Sequence, residues 1–192
     1  MKNICVFCGS GMGKKTIYRK HANNLGEALA EKSIGLVYGG ASIGLMGTLA
    51  NAVLEKGGRV TGVIPESLEK REVAHPHLSK LIVTKSMHER KATMATLSDA
   101  YITLPGGFGT LEELFETITW SQLHIHQKPI VILNTNGYYD DLFSFVKNAA
   151  DQGYIDEKGL DLFSTADSIE ECFTQLEKHD PKEPGSFDRT LI

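Results

Sequence analysis

One couplet constrains this chain more than any other feature: a short apolar run, glycines immediately after it, then a stretch of helical periodicity. It first occurs at residues 2–8 (KNICVFC), which continue into Gly9-Ser10-Gly11-Met12-Gly13. It recurs after Ile34–Tyr38, with Gly39-Gly40 and then Gly44 and Gly47, and after Ala100–Leu104, with Pro105-Gly106-Gly107-Phe108-Gly109. Runs that are apolar at successive positions suit strands buried on both faces of a parallel sheet. Further apolar runs fall at 59–64, 81–84, 129–133 and, as a short last strand, 162–164. Helical stretches at 16–33, 45–55, 87–97, 111–124, 139–152 and 169–178 alternate with them. Residues 66–79 are polar and read as a long loop, and the polar tail 180–192 is expected to be disordered. With no internal repeat or linker, the pattern predicts one doubly wound α/β domain over residues 1–179, a parallel sheet with helices on both faces.

Composition narrows the function. The 192 residues are 41% hydrophobic and 23% charged, with a net charge of −4. That is too apolar for a disordered chain. There is no basic stripe, so a nucleic acid polymer is not an expected partner. No apolar run approaches the ~18 residues that cross a bilayer, and the N-terminal run is too short for a secretory signal. A soluble, cytoplasmic protein is expected. Three cysteines make no disulfide framework. Cys5 and Cys8 have CxxC spacing but lie in a strand pattern, where residues three apart face opposite ways, and they read as buried structural thiols. His75/His77 and His124/His126 are i, i+2 pairs that share no helix face, so no metal site is expected.

In doubly wound folds, ligands bind beyond the carboxyl ends of the strands, where the three glycine turns are predicted to lie. With 19 glycines, the chain exceeds the usual ~7%. The first turn, CGSGMGKK, misses the P-loop pattern: Cys8 replaces its first Gly and Lys15 its hydroxyl residue. It is either a plain tight turn or a backbone contact to substrate. Gly39 and Gly40 precede a helix, where N–H groups can face an anion, while Gly44 and Gly47 have the spacing of close helix packing. Pro105 to Glu113 (PGGFGTLEE) is the most informative turn: three glycines bring N–H groups to a helix start, a ready anion site. Thr110 and Glu113 also fit a capping box. That leaves unexplained the glycines and three acids, Glu112, Glu113 and Glu116, beside an anion site. A carboxylate there suits chemistry on a neighbouring group such as a ribose. In Met87-His88-Glu89-Arg90-Lys91, two cations follow a helix start predicted from Ser86 and Glu89, and Arg90 offers a planar fork to phosphate or carboxylate.

Together these motifs resemble the LONELY GUY (LOG) family of cytokinin riboside 5′-monophosphate phosphoribohydrolases, also labelled lysine decarboxylase-like. PGGFGTLEE matches its PGGxGTxxE signature, and CVFCGS, YGGASIGLMG, GVIPESL, KREVAH, MHERK, ITWSQLHIHQKPI and NGYYDDL follow in order over residues 3–165. The resemblance implies a Rossmann-like fold, a homodimer with active sites near the subunit interface, and no organic cofactor. It implies Arg90 and Glu113 as the catalytic pair, Gly107, Phe108, Gly109, Thr110, Leu111 and Glu112 as the nucleotide-binding turn, and Glu72, Lys91 and Thr119 as further substrate contacts. Gly39 and Gly40 join them as candidate substrate contacts. Ala41 stands where many members have a third glycine, and Lys14 and Lys15 make the first turn more basic than usual. A pyridoxal-phosphate decarboxylase would need a Schiff-base lysine that no motif identifies.

The implied reaction is hydrolysis of the N-glycosidic bond of a purine nucleoside 5′-monophosphate, AMP or an N6-substituted AMP. The phosphate would rest on the N–H groups of Gly107 to Thr110. Two other activities share such turns: a non-catalytic carrier of a nucleotide-containing cofactor such as molybdenum cofactor, and a nucleoside deoxyribosyltransferase-type enzyme, which needs no 5′-phosphate.

Overall fold

A computed structural model describes residues 1–69 and 74–179. Seven strands form one all-parallel sheet: β1 (Asn3–Phe7), β2 (Gly35–Tyr38), β3 (Val60–Pro65), β4 (Lys80–Thr84), β5 (Ala100–Thr103), β6 (Ile130–Leu133) and β7 (Ser164–Ala166). Their order is β4-β3-β2-β1-β5-β6-β7. The helices are α1 (Thr16–Glu31), α2 (Gly44–Glu55), α3 (Glu66–Glu69), α4 (Met87–Leu97), α5 (Phe108–Gln122), α6 (Asp140–Asp151) and α7 (Ile169–Lys178).

The sheet is covered on both faces because its strands alternate between two cores. Ile4, Val6, Leu36, Tyr38 and Ile102 point into one core with Leu25 and Leu29 of α1, Leu49 and Val53 of α2, and Phe173 of α7. Cys5, Phe7, Val37, Tyr101 and Ile132 point into the other with Met94 of α4, Leu114 of α5, and Leu142 and Phe143 of α6. Each large side chain in these layers is worth about 2–5 kcal/mol against alanine. The doubly wound, Rossmann-like architecture therefore stands as expected.

The two CxxC thiols follow the same alternation. Cys5 lies in one core and Cys8 in the other, both buried and unpaired. Burial, then the nearby charge of Glu113, pushes both thiols well above the usual cysteine value, so neither is a ready nucleophile.

Some boundaries differ from the sequence reading. The last strand is Ser164–Ala166 rather than 162–164, because Glu157–Leu162 winds into a 3₁₀ segment. The loop at 66–79 opens with the short helix α3 and then returns to the second glycine turn: Ala74 bridges Ala41, and His75 N–H donates to Gly40 O at 2.9 Å. Helix α6 begins at Asp140, one residue later than the stretch 139–152 suggests; Tyr139 precedes it, and among the described residues no side chain caps it. Glu72 and the tail 180–192 lie outside the described residues. Among the described residues, no helix is long and apolar enough to cross a membrane.

Candidate active site

The strand order creates the crevice. The chain winds outward from β1 to β4, then returns to lay β5 on the other side of β1. The connections after β1 and β5 therefore leave in opposite directions, the geometry of a ligand-binding switch point. The two turns touch there: Gly9 N–H donates to Pro105 O at 3.1 Å. A Cβ at Gly9 would lie 3.3 Å from Gly106 Cα.

Helix α5 starts three residues earlier than its apolar periodicity suggests. Gly107, at φ −96° and ψ −153°, precedes it, and no side chain caps it. Leu111 N–H makes the first helical bond, to Gly107 O at 3.1 Å. The N–H groups of Phe108, Gly109 and Thr110 come before that bond and are the free donors of the helix terminus. Among the described residues, a Cβ at Gly107 or Gly109 would meet no atom within 4 Å. Open space thus lies beside these donors. Phe108 next to them is 93% exposed.

The capping-box reading of Thr110 and Glu113 is corrected by this register. Thr110 lies inside the first turn, buried, with its side chain packed against Gly106. Glu113 turns instead toward Arg90. Leu111 packs against the core beneath. Thr119, six residues and ~9 Å beyond Glu113 along α5, is exposed and donates to Phe115 O at 2.7 Å.

Helix α4 delivers the cations. Ser86 accepts from Glu89 N–H at 3.1 Å and Glu89 accepts from Lys85 N–H at 2.7 Å, so the predicted capping box forms with its return bond shifted one residue before the cap. This sets the helix phase that buries Arg90, 4% exposed. Arg90 Nη2 donates to Gly39 O at 3.3 Å and lies 3.9 Å from Glu113 Oε1. Nη1 contacts Met87 Sδ at 3.6 Å, and Nε has no hydrogen-bond partner among the described residues. The guanidinium is held in place with donor capacity left over. Gly39 must be glycine for this: a Cβ there would overlap Arg90 Nη2. Gly40 adopts φ +82°, which favours glycine on backbone grounds.

Arg90 and Lys91 are neighbours on one helix yet take different partners. Lys91 pairs with Glu112, and with Glu116 at 2.9 Å. Burial disfavours the Lys91 charge, but hydrogen bonds and ion pairing with Glu112 and Glu116 outweigh it and raise its pKa above the usual lysine value. A Schiff-base lysine must be neutral to attack, so Lys91 does not fit that role. Of the residues expected at the site, the structure brings together Arg90 and Glu113, joins Lys91 to Glu112, and sets the turn 107–110 at the rim above them. Among the described residues, no group of histidines, cysteines and carboxylates could hold a metal ion.

A row of N–H donors at a switch point, with a buried arginine paired to a half-buried glutamate beside it, is an arrangement in an α/β domain that suits an anionic small molecule. Residues 46–176 match the family model described as "Possible lysine decarboxylase". The chain is 48% identical over 181 residues to cytokinin riboside 5′-monophosphate phosphoribohydrolase LOG7 of Arabidopsis thaliana, covering 94% of this chain and 83% of that protein. It is also 48% identical over 181 residues to the phosphoribohydrolase LOG of Oryza sativa subsp. japonica, covering 94% and 75%. The chain belongs to this LOG family. Among solved structures, the molybdenum cofactor binding protein of Rippkaea orientalis superimposes with a TM-score of 0.69 at 23% identity, over 92% of this chain and 96% of that one. The Moco carrier protein of Chlamydomonas reinhardtii gives 0.68 at 21%, over 92% and 95%. At that identity the likeness is one of fold.

Proposed function

We propose that this protein hydrolyses the N-glycosidic bond of purine nucleoside 5′-monophosphates of the cytokinin riboside type, releasing the free base and ribose 5-phosphate. The observation that carries the reading is the Arg90–Glu113 pair, 3.9 Å apart, the arginine buried and the glutamate half-buried at the start of the helix that the donor turn opens. Membership of a family whose relatives are named for this activity supports it.

In this reading the 5′-phosphate rests on the N–H groups of Gly107 to Thr110. Glu113, one helical turn further in, faces the ribose. Its carboxylate stabilises the positive charge that develops at the anomeric carbon as the C–N bond breaks. Water adds its oxygen to that carbon, the bonding pair leaves with the base, and the base gains the proton that water loses. Arg90 anchors Glu113 and offers its spare donors to the bound nucleotide. Lys91 and Glu112 brace each other at the mouth, and Thr119 and Glu72 are further proposed contacts. A second copy of the chain completes the assembly, covering exposed apolar side chains such as Met87 of α4, Phe115 of α5 and Leu123 just after it. The catalytic unit spans residues 1–179, and the setting is the cytoplasm.

The test is release of free base, followed chromatographically, from AMP, N6-substituted AMP and adenosine. Release from the monophosphates and not from adenosine is expected. Glu113→Gln and Arg90→Ala should each lower the rate by about 10²-fold or more. Binding without base release would favour a carrier, and equal turnover of adenosine a deoxyribosyltransferase-like enzyme. Either result overturns the reading.

A further inference from the structure

The segment joining β6 to α6 carries the NGYYDDL motif, and the site described so far makes no use of it. It is held firmly. Asn136 and Gly137 adopt φ values of 55° and 68°. Tyr139 N–H donates to Asn134 Oδ1 at 2.8 Å, and Asn134 Nδ2 donates to Asp140 Oδ1 at 2.7 Å. From this frame two adjacent tyrosines reach the exit of β5. Tyr139, buried, donates its hydroxyl to Leu104 O at 2.8 Å. Tyr138 donates to Gly106 O at 2.6 Å. The two hydroxyls thus grip the carbonyls on either side of Pro105. The Tyr138 ring is braced edge-on by Tyr139 at 4.8 Å and by Tyr18 at 5.7 Å. Tyr18 in turn rests against Gly13 in the first glycine turn.

The Gly106–Gly107 peptide is trans and planar, so its carbonyl and its N–H point in opposite directions. A carbonyl fixed on Tyr138 therefore fixes the Gly107 N–H on the far side, at the head of the free donors of α5. Without that anchor, a peptide between two glycines has wide rotational freedom. We propose that Tyr138 is a positioning residue for the phosphate turn: its hydroxyl orients the Gly106–Gly107 peptide so that the Gly107 N–H is presented to a bound phosphate. This rests on the phosphate reading of the turn given above.

The experiment measures binding of ribose 5-phosphate, and separately of adenine, to wild type and to Tyr138→Phe by calorimetry. The variant keeps the ring and its packing and removes the hydroxyl. Its dissociation constant for ribose 5-phosphate should rise about 5–10-fold, the loss of one hydrogen bond's worth of orientation. Adenine affinity should stay at the wild-type value, and in turnover KM for AMP should rise with kcat unchanged. Unchanged ribose 5-phosphate affinity in the variant overturns the role of Tyr138 and leaves the phosphate reading standing. Equal weakening of both ligands, or failure of the variant to fold, also overturns it, because the hydroxyl would then be supporting the fold at large. Wild-type protein that fails to bind ribose 5-phosphate overturns the phosphate reading, and this proposal with it.

Discussion

The glycine turns after β2 and β5 have similar composition and lie on one rim, but their glycines answer to different demands. After β2 the space beside each glycine is taken by the protein itself. An added Cβ would overlap the Arg90 guanidinium at Gly39, approach Ile64 Cβ to 3.3 Å at Gly40, and run into the main chain of Ser10 at Gly44 and of Ser42 at Gly47. Gly40 and Gly44 also have φ of +82° and +61°. After β5, Gly106 is packed in the same way, against Thr110 and Gly9. Gly107 and Gly109 are not: they face open space, and the φ of −96° at Gly107 is available to any residue. Packing accounts for glycine in the first turn. In the second, packing accounts for Gly106, and the proposed approach of a phosphate to the backbone would account for Gly107 and Gly109. Arg90 links the two turns: it donates to Gly39 O in the packed one and pairs with Glu113 on the helix that follows the open one.

The largest expected effect is on the packed turn. Gly44→Ala forces a left-handed alanine against the Ser10 main chain and should destabilise the protein by on the order of 3 kcal/mol. Thermal unfolding would show this as a fall of about 6–12 °C in Tm. A Tm within 2 °C of wild type would break the claim that this turn is filled by protein. Next comes Gly39→Ala, which displaces the Arg90 side chain rather than backbone. Base release should drop by roughly 10²-fold while the fold survives, since a flexible side chain gives way at less cost than a main chain. The open turn should respond in the opposite sense. Gly107→Ala should leave Tm unchanged or raise it slightly, by about 0.5 kcal/mol in stability. It should nonetheless weaken AMP binding about tenfold, because the new methyl group stands where the phosphate approaches. A variant that both melts early and binds normally would reverse the assignment of the two turns.

Most of the fold was legible because its signals are local. Ile4–Cys8, Leu36–Tyr38 and Ile130–Leu133 are buried throughout, as two-faced apolar runs should be. Ser86 and Glu89 form the capping box that their spacing announces. Ser168 and Glu171 form the same box at the start of α7, with Glu171 N–H on Ser168 Oγ at 3.1 Å. The S-x-x-E spacing at 168–171 carries that signal in the sequence as well. The misreading at α5 has a physical reason. T-x-x-E fits a cap, but it fits equally well one turn inside a helix that starts on bare glycine, and only the backbone of Gly107 distinguishes the two. The Arg90–Glu113 pair was expected from motif resemblance alone. It joins residues 23 positions apart, on helices brought together by their shared packing on one face of the sheet, and no local periodicity encodes it. The separate pairing of Lys91 with Glu112 and Glu116 was hidden for the same reason.

The smallest effect sharpens the comparison through pH, since a titrating histidine supports the packed turn. His75 is buried, its backbone N–H donates to Gly40 O, its ring Nε2 lies 3.0 Å from Asn51 Oδ1, and its ring Nδ1 accepts from His77 N–H at 3.2 Å. With one ring nitrogen accepting, the imidazole is the neutral form that donates from Nε2. Burial, then the neighbouring His77, lowers its pKa below the usual histidine value. His126 behaves alike: Nε2 faces Thr117 O at 3.0 Å, Nδ1 accepts from Lys128 N–H at 3.1 Å, and burial is the main cause of its lowered pKa. A histidine whose pKa is lower folded than unfolded binds more protons when the chain unfolds. Its contribution is therefore complete above the unfolded value of ~6.5 and is lost as pH falls through the lower, folded value. Tm should decline as pH drops from 7 to 5, and His75→Gln should flatten that decline even if it lowers Tm at pH 7. The turn after β5 carries no such histidine, so ribose 5-phosphate affinity compared between wild type and His75→Gln should show the same pH dependence. Equal Tm slopes in the two proteins would remove His75 from the support of the packed turn, and a pH dependence of binding that changes with His75 would show that the two turns are less separate than their glycines indicate.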